Sequence, residues 1–200
     1  MVEICILNGL KEQNFRVLGL ILSESIKYSI VPKSYMSFIR TKKIAGKEYA
    51  YLVENKWYKR RHKGKNKGPR QKVSKYLGRV YRFNKEKDID FFSFKNINNL
   101  EQYLKNNSNN KNQIFRDLVE WELFRHGIKK EEFTIDFSNK KIIKKNNNKE
   151  VSLRMNEGFL NSFTLNRLFN LKAGDSYYLA KGFVGAGIEI PKEVFVGVFG

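Results

Sequence analysis

The sequence predicts an α+β fold: a small antiparallel, basic β-sheet module followed by an α+β domain with a short β-meander and helices. Three observations lead there. Side chains alternate with a period of two from Ser37 to Val53 and again from Gln71 to Gly78, as in strands with one face turned inward. Apolar residues recur at helical spacing from Gln113 to His126. Two short apolar runs, Phe133 to Phe137 and Lys141 to Lys145, flank a Ser138-Asn139 turn and read as a meander with Glu150 to Met155.

Residues 1–35 carry almost no net charge, with Phe15, Leu18, Ile21 and Leu22 at helical spacing and Gly19 weakening the pattern. Two readings stand side by side: an extension with the native start at Met36, or a native helix or edge strand. From Ser37, Phe38, Arg40 and Lys42 alternate with Ile39, Thr41 and Lys43. Ala45-Gly46-Lys47 then turns the chain, and Tyr49, Tyr51 and Val53 line one face of the returning strand, which makes a β-hairpin. After Asn55 the sequence WYKRRHKGKNKGPRQ cannot continue as a helix through Gly64, Gly68 and Pro69, so it is expected as a mobile loop or the tip of a long ribbon. Order resumes at Gln71, and Gly78 marks a bulge or a close backbone approach.

Residues 88–112 read as a connector. Ile89, Phe91, Phe92 and Phe94 suit a covering segment, Asn96 suits the cap of a helix through Leu100 and Leu104, and Asn106 to Asn112 has no core-forming residue. The domain from 113 to 200 begins with the clearest helix, ended by Gly127. Further helices are expected over Phe159 to Leu171 and Ser176 to Gly185, with Gly187 as a stop and Pro191 opening a last turn or two. Gly182, Gly185 and Gly187 suit close helix packing and a C-cap, because they do not fall between a strand and a helix as a phosphate loop requires.

Composition restricts the chemistry. A hydrophobic share of 41% and an aromatic share of 14% are enough for a real core. Cys5 is the only cysteine and His62 and His126 the only histidines, so neither an intrachain disulfide nor a four-ligand Cys/His zinc site can form. Phe15 to Leu22 is too short to span a bilayer and lacks a secretory cleavage pattern. The expectation is a soluble, cytoplasmic protein without membrane contact or cofactor.

Charge points to the partner. The net charge is +19, and Arg40 to Lys87 contains eighteen Lys or Arg against Glu48, Glu54 and Glu86. Like charges crowded on one module repel unless a polyanion neutralises them, so nucleic acid is the expected partner. Lys56, Lys59, Arg60, Arg61, Lys63, Lys65, Lys67, Arg70 and Lys72 interleave with Trp57, Tyr58 and His62, offering point charges for phosphates and flat faces for bases. Arg40, Lys42 and Lys43 add to the same basic module.

The segment MSFIRTKKIAGKEYAYLVEN, the basic insert after it and QKVSKYLGRV together resemble the N-terminal β region of insertion-sequence DDE transposases over Met36 to Val80. There a hairpin with a Y-x-YLVE phrase precedes a strand ending in YLG. The resemblance implies a DNA-contacting role for Tyr51, Lys72, Lys75, Tyr76 and Arg79, and it places duplex DNA ahead of structured RNA. The three-carboxylate, two-metal domain of such enzymes is not recognisable in the remainder, which is expected to belong to an archaeal-like family sharing the head module.

An enzyme would need its acids in the second half. Asp117 and Glu120 share a helix face, Asp136 lies on a strand, and a metal-dependent nuclease would have to bring such carboxylates together. The favoured alternative makes Asp117, Glu120 and Glu122 a solvated stripe facing Arg116 and Arg125, with His126 suiting the helix C-terminus. The leading expectation is therefore a non-enzymatic nucleic-acid-binding protein, with a homodimer through the C-terminal domain as a second partner. A nuclease or transposase-derived enzyme, and a ribosome-associated or protein-interaction factor, are the alternatives.

Overall fold

The computed structural model describes residues 37–58, 68–108, 110–170 and 176–199, within a compact unit Ser37–Gly200. Residues 1–36 and 59–67 lie outside them, and so do the readings placed there: the N-terminal extension and the loop cations Lys59, Arg60, Arg61, His62, Lys63, Lys65 and Lys67.

The described residues form a mixed α/β fold with seven strands and six helices. β1 (Ser37–Ile44) and β2 (Lys47–Tyr58) pair antiparallel around a two-residue turn. Ala45 at φ 47° and Gly46 at φ 73° supply the two positive φ values that such a turn needs to match the strand twist. β3 (Gly68–Arg82) returns along β2, and the last pair before the insert is Tyr58 with Gly68. The arms thus run several residues past the expected ends at Asn55 and Gln71. Trp57 and Pro69 belong to the ribbon by register, and Pro69 is tolerated because it lies next to the ribbon's end.

Two short helices follow: α1 (Phe91–Lys95) and α2 (Leu100–Asn106). Asn96 ends α1 in the left-handed conformation at φ 54°, and the cap of α2 is Asn99, whose Oδ1 accepts from the Gln102 backbone N–H at 3.0 Å. The expected cap was thus three residues early, because the Phe-rich run forms a turn of helix of its own. α3 (Lys111–Arg125) takes up Lys111 and Asn112 from the supposed linker, and Gly127 at φ 61° follows its end.

β4 (Phe133–Asp136), β5 (Lys141–Lys144) and β6 (Lys149–Met155) form the expected meander. β7 (Gly158–Leu160) folds back on β6 where a helix was expected. The helix α4 (Ser162–Phe169) starts only after Asn161, whose side chain accepts from the Phe163 and Thr164 N–H groups while Thr164 Oγ1 accepts from the Asn161 N–H at 3.0 Å. That reciprocal cap fixes the start three residues later than apolar spacing suggests. α5 (Ser176–Ala186) stops at Gly187, φ 74°, and α6 (Lys192–Phe199) follows Pro191.

The strand order is β1-β2-β3-β6-β5-β4, with β7 on β6. All pairings are antiparallel except β3 with β6, where Arg79 to Arg82 run parallel to Val151 to Arg154. That one parallel step carries the basic sheet into the sheet of the second half. Leu118, Val119, Leu153, Met155, Leu165 and Phe183 are among the buried residues of the larger core. A smaller core of Ala50, Leu77 and Val80, with Ile39, Leu52, Phe159 and Phe163 against it, seals one side of β1–β3.

Candidate nucleic-acid interface

Cross-strand partners share a sheet face, so the register assigns the side chains of β1–β3 to two sides. Arg40 pairs with Tyr51 and Lys42 with Tyr49; across the ribbon Tyr51 pairs with Tyr76 and Tyr49 with Arg79. These six residues form one face. Thr41, Ala50 and Leu52, with Leu77, lie on the other, over the small core.

Tyr76 and Arg79 are three residues apart and would fall on opposite faces of a regular strand. They share a face because the register shifts between Ala50 and Tyr51, where Leu77 is the extra residue. Gly78 makes the shift possible: φ is 99°, and a Cβ there would overlap the Glu150 carbonyl oxygen of the adjacent strand segment. Both expectations for Gly78, bulge and close approach, describe this one position. A second shift between Leu52 and Val53 leaves Ser74 as the extra residue, and its hydroxyl donates to the Leu52 carbonyl at 3.2 Å.

The tyrosines make a continuous aromatic surface. The Tyr51 and Tyr76 ring centroids are 5.4 Å apart and those of Tyr49 and Tyr76 6.3 Å. Tyr76 is half exposed, with Phe38 and Val73 exposed nearby. Partial burial, with the Tyr51, Tyr49 and Tyr81 hydroxyls nearby, pushes the Tyr76 phenol above its ordinary value, so that phenol stays uncharged at neutral pH. Cations border it. Lys42 Nζ sits 5.9 Å from the Tyr51 centroid, Arg40 donates to Gln71 Oε1 at 2.8 Å, and the Arg79 guanidinium lies 4.9 Å from the Tyr81 centroid. Lys144 on β5 reaches the same Tyr81 ring at 4.4 Å. Arg40, Lys42 and Arg79 form no ion pair with a described residue.

The carboxylates of β1–β3 fall on the opposite side. Glu48 binds Arg82 through both oxygens, at 2.7 and 2.9 Å, and that guanidinium holds the Glu48 carboxyl below its ordinary value. Glu54 stands across from Lys72. Other predicted contact residues join this second side: Lys43 pairs in register with Glu48, and Lys75 Nζ donates to Ser162 Oγ at 3.3 Å. Lys56 and Arg70 are directly opposed near the ribbon's end. The structure thus brings Arg40, Lys42, Tyr51, Tyr76 and Arg79 together and separates Lys43, Lys72 and Lys75 from them. Tyr49 and Lys144 were missed; the Y-x-Y alternation points to the first, but Lys144 is placed only by long-range pairing.

The acidic candidates each make contacts within the fold. Asp117 is buried, accepts from the Tyr103 hydroxyl at 2.7 Å and from Gln113 Nε2 at 3.0 Å, and pairs with Lys95 at 2.7 Å. Burial, followed by that hydrogen bond, raises the Tyr103 phenol well above its ordinary value. Glu120 shares Lys95 at 3.3 Å. Asp136 closes its own turn, accepting from the Ser138 and Asn139 N–H groups at 3.0 and 2.9 Å. Glu122 is fully buried, pairing with Arg125 at 3.1 Å and accepting from Asn156 Nδ2 at 3.0 Å. The expected solvated stripe is therefore wrong for Asp117 and Glu122, because the apolar face of α3 is broad enough to take them inside with their partners. Among the described residues no group of three His, Cys, Asp or Glu could hold a metal ion, and no helix is long and apolar enough to cross a membrane.

No family model, curated protein or solved structure matches the chain.

Proposed function

We propose that the chain binds nucleic acid, with DNA ahead of RNA on the transposase-like resemblance of Met36 to Val80, and that β1–β3 form the contact. One observation carries this reading: Arg40, Lys42 and Arg79 stand around a tyrosine cluster whose Tyr76 is half exposed, while Glu48 and Glu54 lie on the reverse of the sheet. A polyanion meeting that face finds cations without competing carboxylates from the same strands, and the fixed sheet holds them in register. The sequence between Tyr58 and Gly68 adds Lys59, Arg60, Arg61, Lys63, Lys65 and Lys67 to the basic charge of the same module. The reading is of a binding protein: Asp117 and Asp136 are engaged in internal hydrogen bonds and Glu120 pairs with Lys95, and the described residues hold no group of three His, Cys, Asp or Glu that could take a metal ion.

Fluorescence anisotropy with a labelled oligonucleotide across a salt series tests it. Affinity should fall steeply with salt, and Arg40→Gln, Lys42→Gln and Arg79→Gln combined should weaken binding and flatten the log–log slope by roughly 2 to 3, at about 0.7 to 0.9 per phosphate contact. Salt-insensitive binding, or an unchanged slope in the triple variant, contradicts it.

A further inference from the structure

We propose that the tyrosine face takes unpaired bases, so that the nucleic acid bound by this sheet is single-stranded; this rests on the nucleic-acid reading above and departs from the duplex that the resemblance implies. The argument begins with what a planar ring can reach. In a duplex each base has both faces covered by its neighbours, so protein side chains meet only base edges and the backbone. Edges are read by amides, guanidiniums and carboxylates. A phenol ring facing outward from a sheet offers mainly its own face, and its partner is another exposed flat ring.

The sheet groups three rings, Tyr76 half exposed and Tyr49 and Tyr51 partly buried beside it. Tyr49 and Tyr51 are alternate residues on β2, about 7 Å apart along the strand by the repeat of an extended chain. Tyr76 lies across from Tyr51, with centroid separations of 5.4 and 6.3 Å to Tyr51 and Tyr49. An extended single strand has a comparable distance between successive bases, so neighbouring bases can each find a ring. The cations come from the flanking strands, Arg40 and Lys42 on β1 and Arg79 on β3, with Lys42 Nζ 5.9 Å from the Tyr51 centroid. That leaves the rings for bases and the border for phosphates.

The bulge is the second observation. A regular strand would put Arg79 on the reverse face from Tyr76; the Leu77-Gly78 shift, allowed by a glycine at φ 99°, puts ring and cation on one side. The same shift sets Val80 beside Leu77 in the small core on the reverse, so one bulge serves the packing on that side and the pairing of ring and cation on this one. The tyrosine hydroxyls are also not tied to a carboxylate: no hydrogen bond links Tyr49, Tyr51 or Tyr76 to a described acid, and the Tyr76 environment favours the neutral phenol that stacks without repelling phosphate.

The test compares the protein on twelve-nucleotide dT and rU single strands and on a duplex of equal length, across one common series of salt concentrations. Wild type should favour a single strand over the duplex. Tyr51→Leu and Tyr76→Leu should each weaken single-strand binding about tenfold, leave the salt slope unchanged and hardly affect the duplex, whereas Tyr51→Phe and Tyr76→Phe should retain binding. Leucine keeps an apolar side chain on the strand, and a thermal melt of each variant identifies any that fails to fold; the Phe variants then stand alone, and their loss of binding would overturn stacking. Duplex binding as tight as single-strand binding, with the folded Leu variants indistinguishable from wild type, overturns this inference and leaves the nucleic-acid reading intact. No binding of any of the three probes at low salt overturns both. The dT and rU arms show which sugar the strand carries.

Discussion

Gly78 holds the two halves of the site in one register, because its missing side chain lets β3 approach the Glu150 carbonyl while φ stays at 99°. Gly78→Ala should cost about 2–5 kcal/mol, combining a left-handed backbone penalty with overpacking against a neighbouring main chain. Gly46→Ala, at φ 73° with open space around it, should cost about 1 kcal/mol. Urea denaturation of the two variants checks the contrast. Glu48 gives a second residue-level prediction. Its carboxyl is held below the ordinary value of 4.5 by Arg82, so the stabilisation is present above that value and is lost as pH falls through the lower folded value. The stability difference between wild type and Glu48→Gln should therefore be largest near neutral pH and shrink on acidification below about pH 4.5. Both residues were visible in the sequence as types. Gly78 could be read as a bulge from its place inside an alternating run, but the Glu48–Arg82 pair joins residues on β2 and β3 that only the register brings together.

At the scale of elements, the ribbon separates into a patterned part and a basic insert. The strands β1, β2 and β3 were legible from alternation and the Ala45-Gly46 turn, since a period of two over many residues has no helical competitor. Their full length was not, because Trp57, Tyr58, Pro69 and Arg70 sit among lysines and glycines that by local composition read as loop. The same limit explains β7 and α4: apolar spacing from Phe159 fits a helix, and only the Asn161–Thr164 cap, a pattern of side-chain chemistry, marks the true start. Which basic residues share the tyrosine face depends on two bulges, so a strict odd-even count sorts Arg79 wrongly. Neutralising Lys59, Arg60, Arg61, Lys63, Lys65 and Lys67 should lower affinity and flatten the salt slope for single strands and duplex alike, read by the same anisotropy titration. The tyrosine substitutions, by contrast, should act on single strands alone.

Over the whole molecule, the parallel step from β3 to β6 decides how the parts belong together. No local pattern announces it: Val80-Tyr81 and Ser152-Leu153 are ordinary strand sequence, and their pairing spans about seventy residues of chain. Through it the face that carries Tyr81 and Arg79 runs on toward Phe133 and Lys144, with the Tyr81 and Phe133 centroids 5.4 Å apart. The second half thus acts as a base that fixes the sheet, held internally by the buried Glu122–Arg125 pair and its Asn156 and Glu189 contacts. The central claim is that nucleic acid lies on the tyrosine face of β1–β3, and ultraviolet cross-linking to a single-stranded oligonucleotide, with the attachment sites mapped by mass spectrometry, tests it most directly. The account predicts adducts at Tyr49, Tyr51 or Tyr76 that disappear with excess unlabelled strand. Adducts confined to the helices of the second half, with none in Ser37–Tyr58 or Gly68–Arg82, would contradict it.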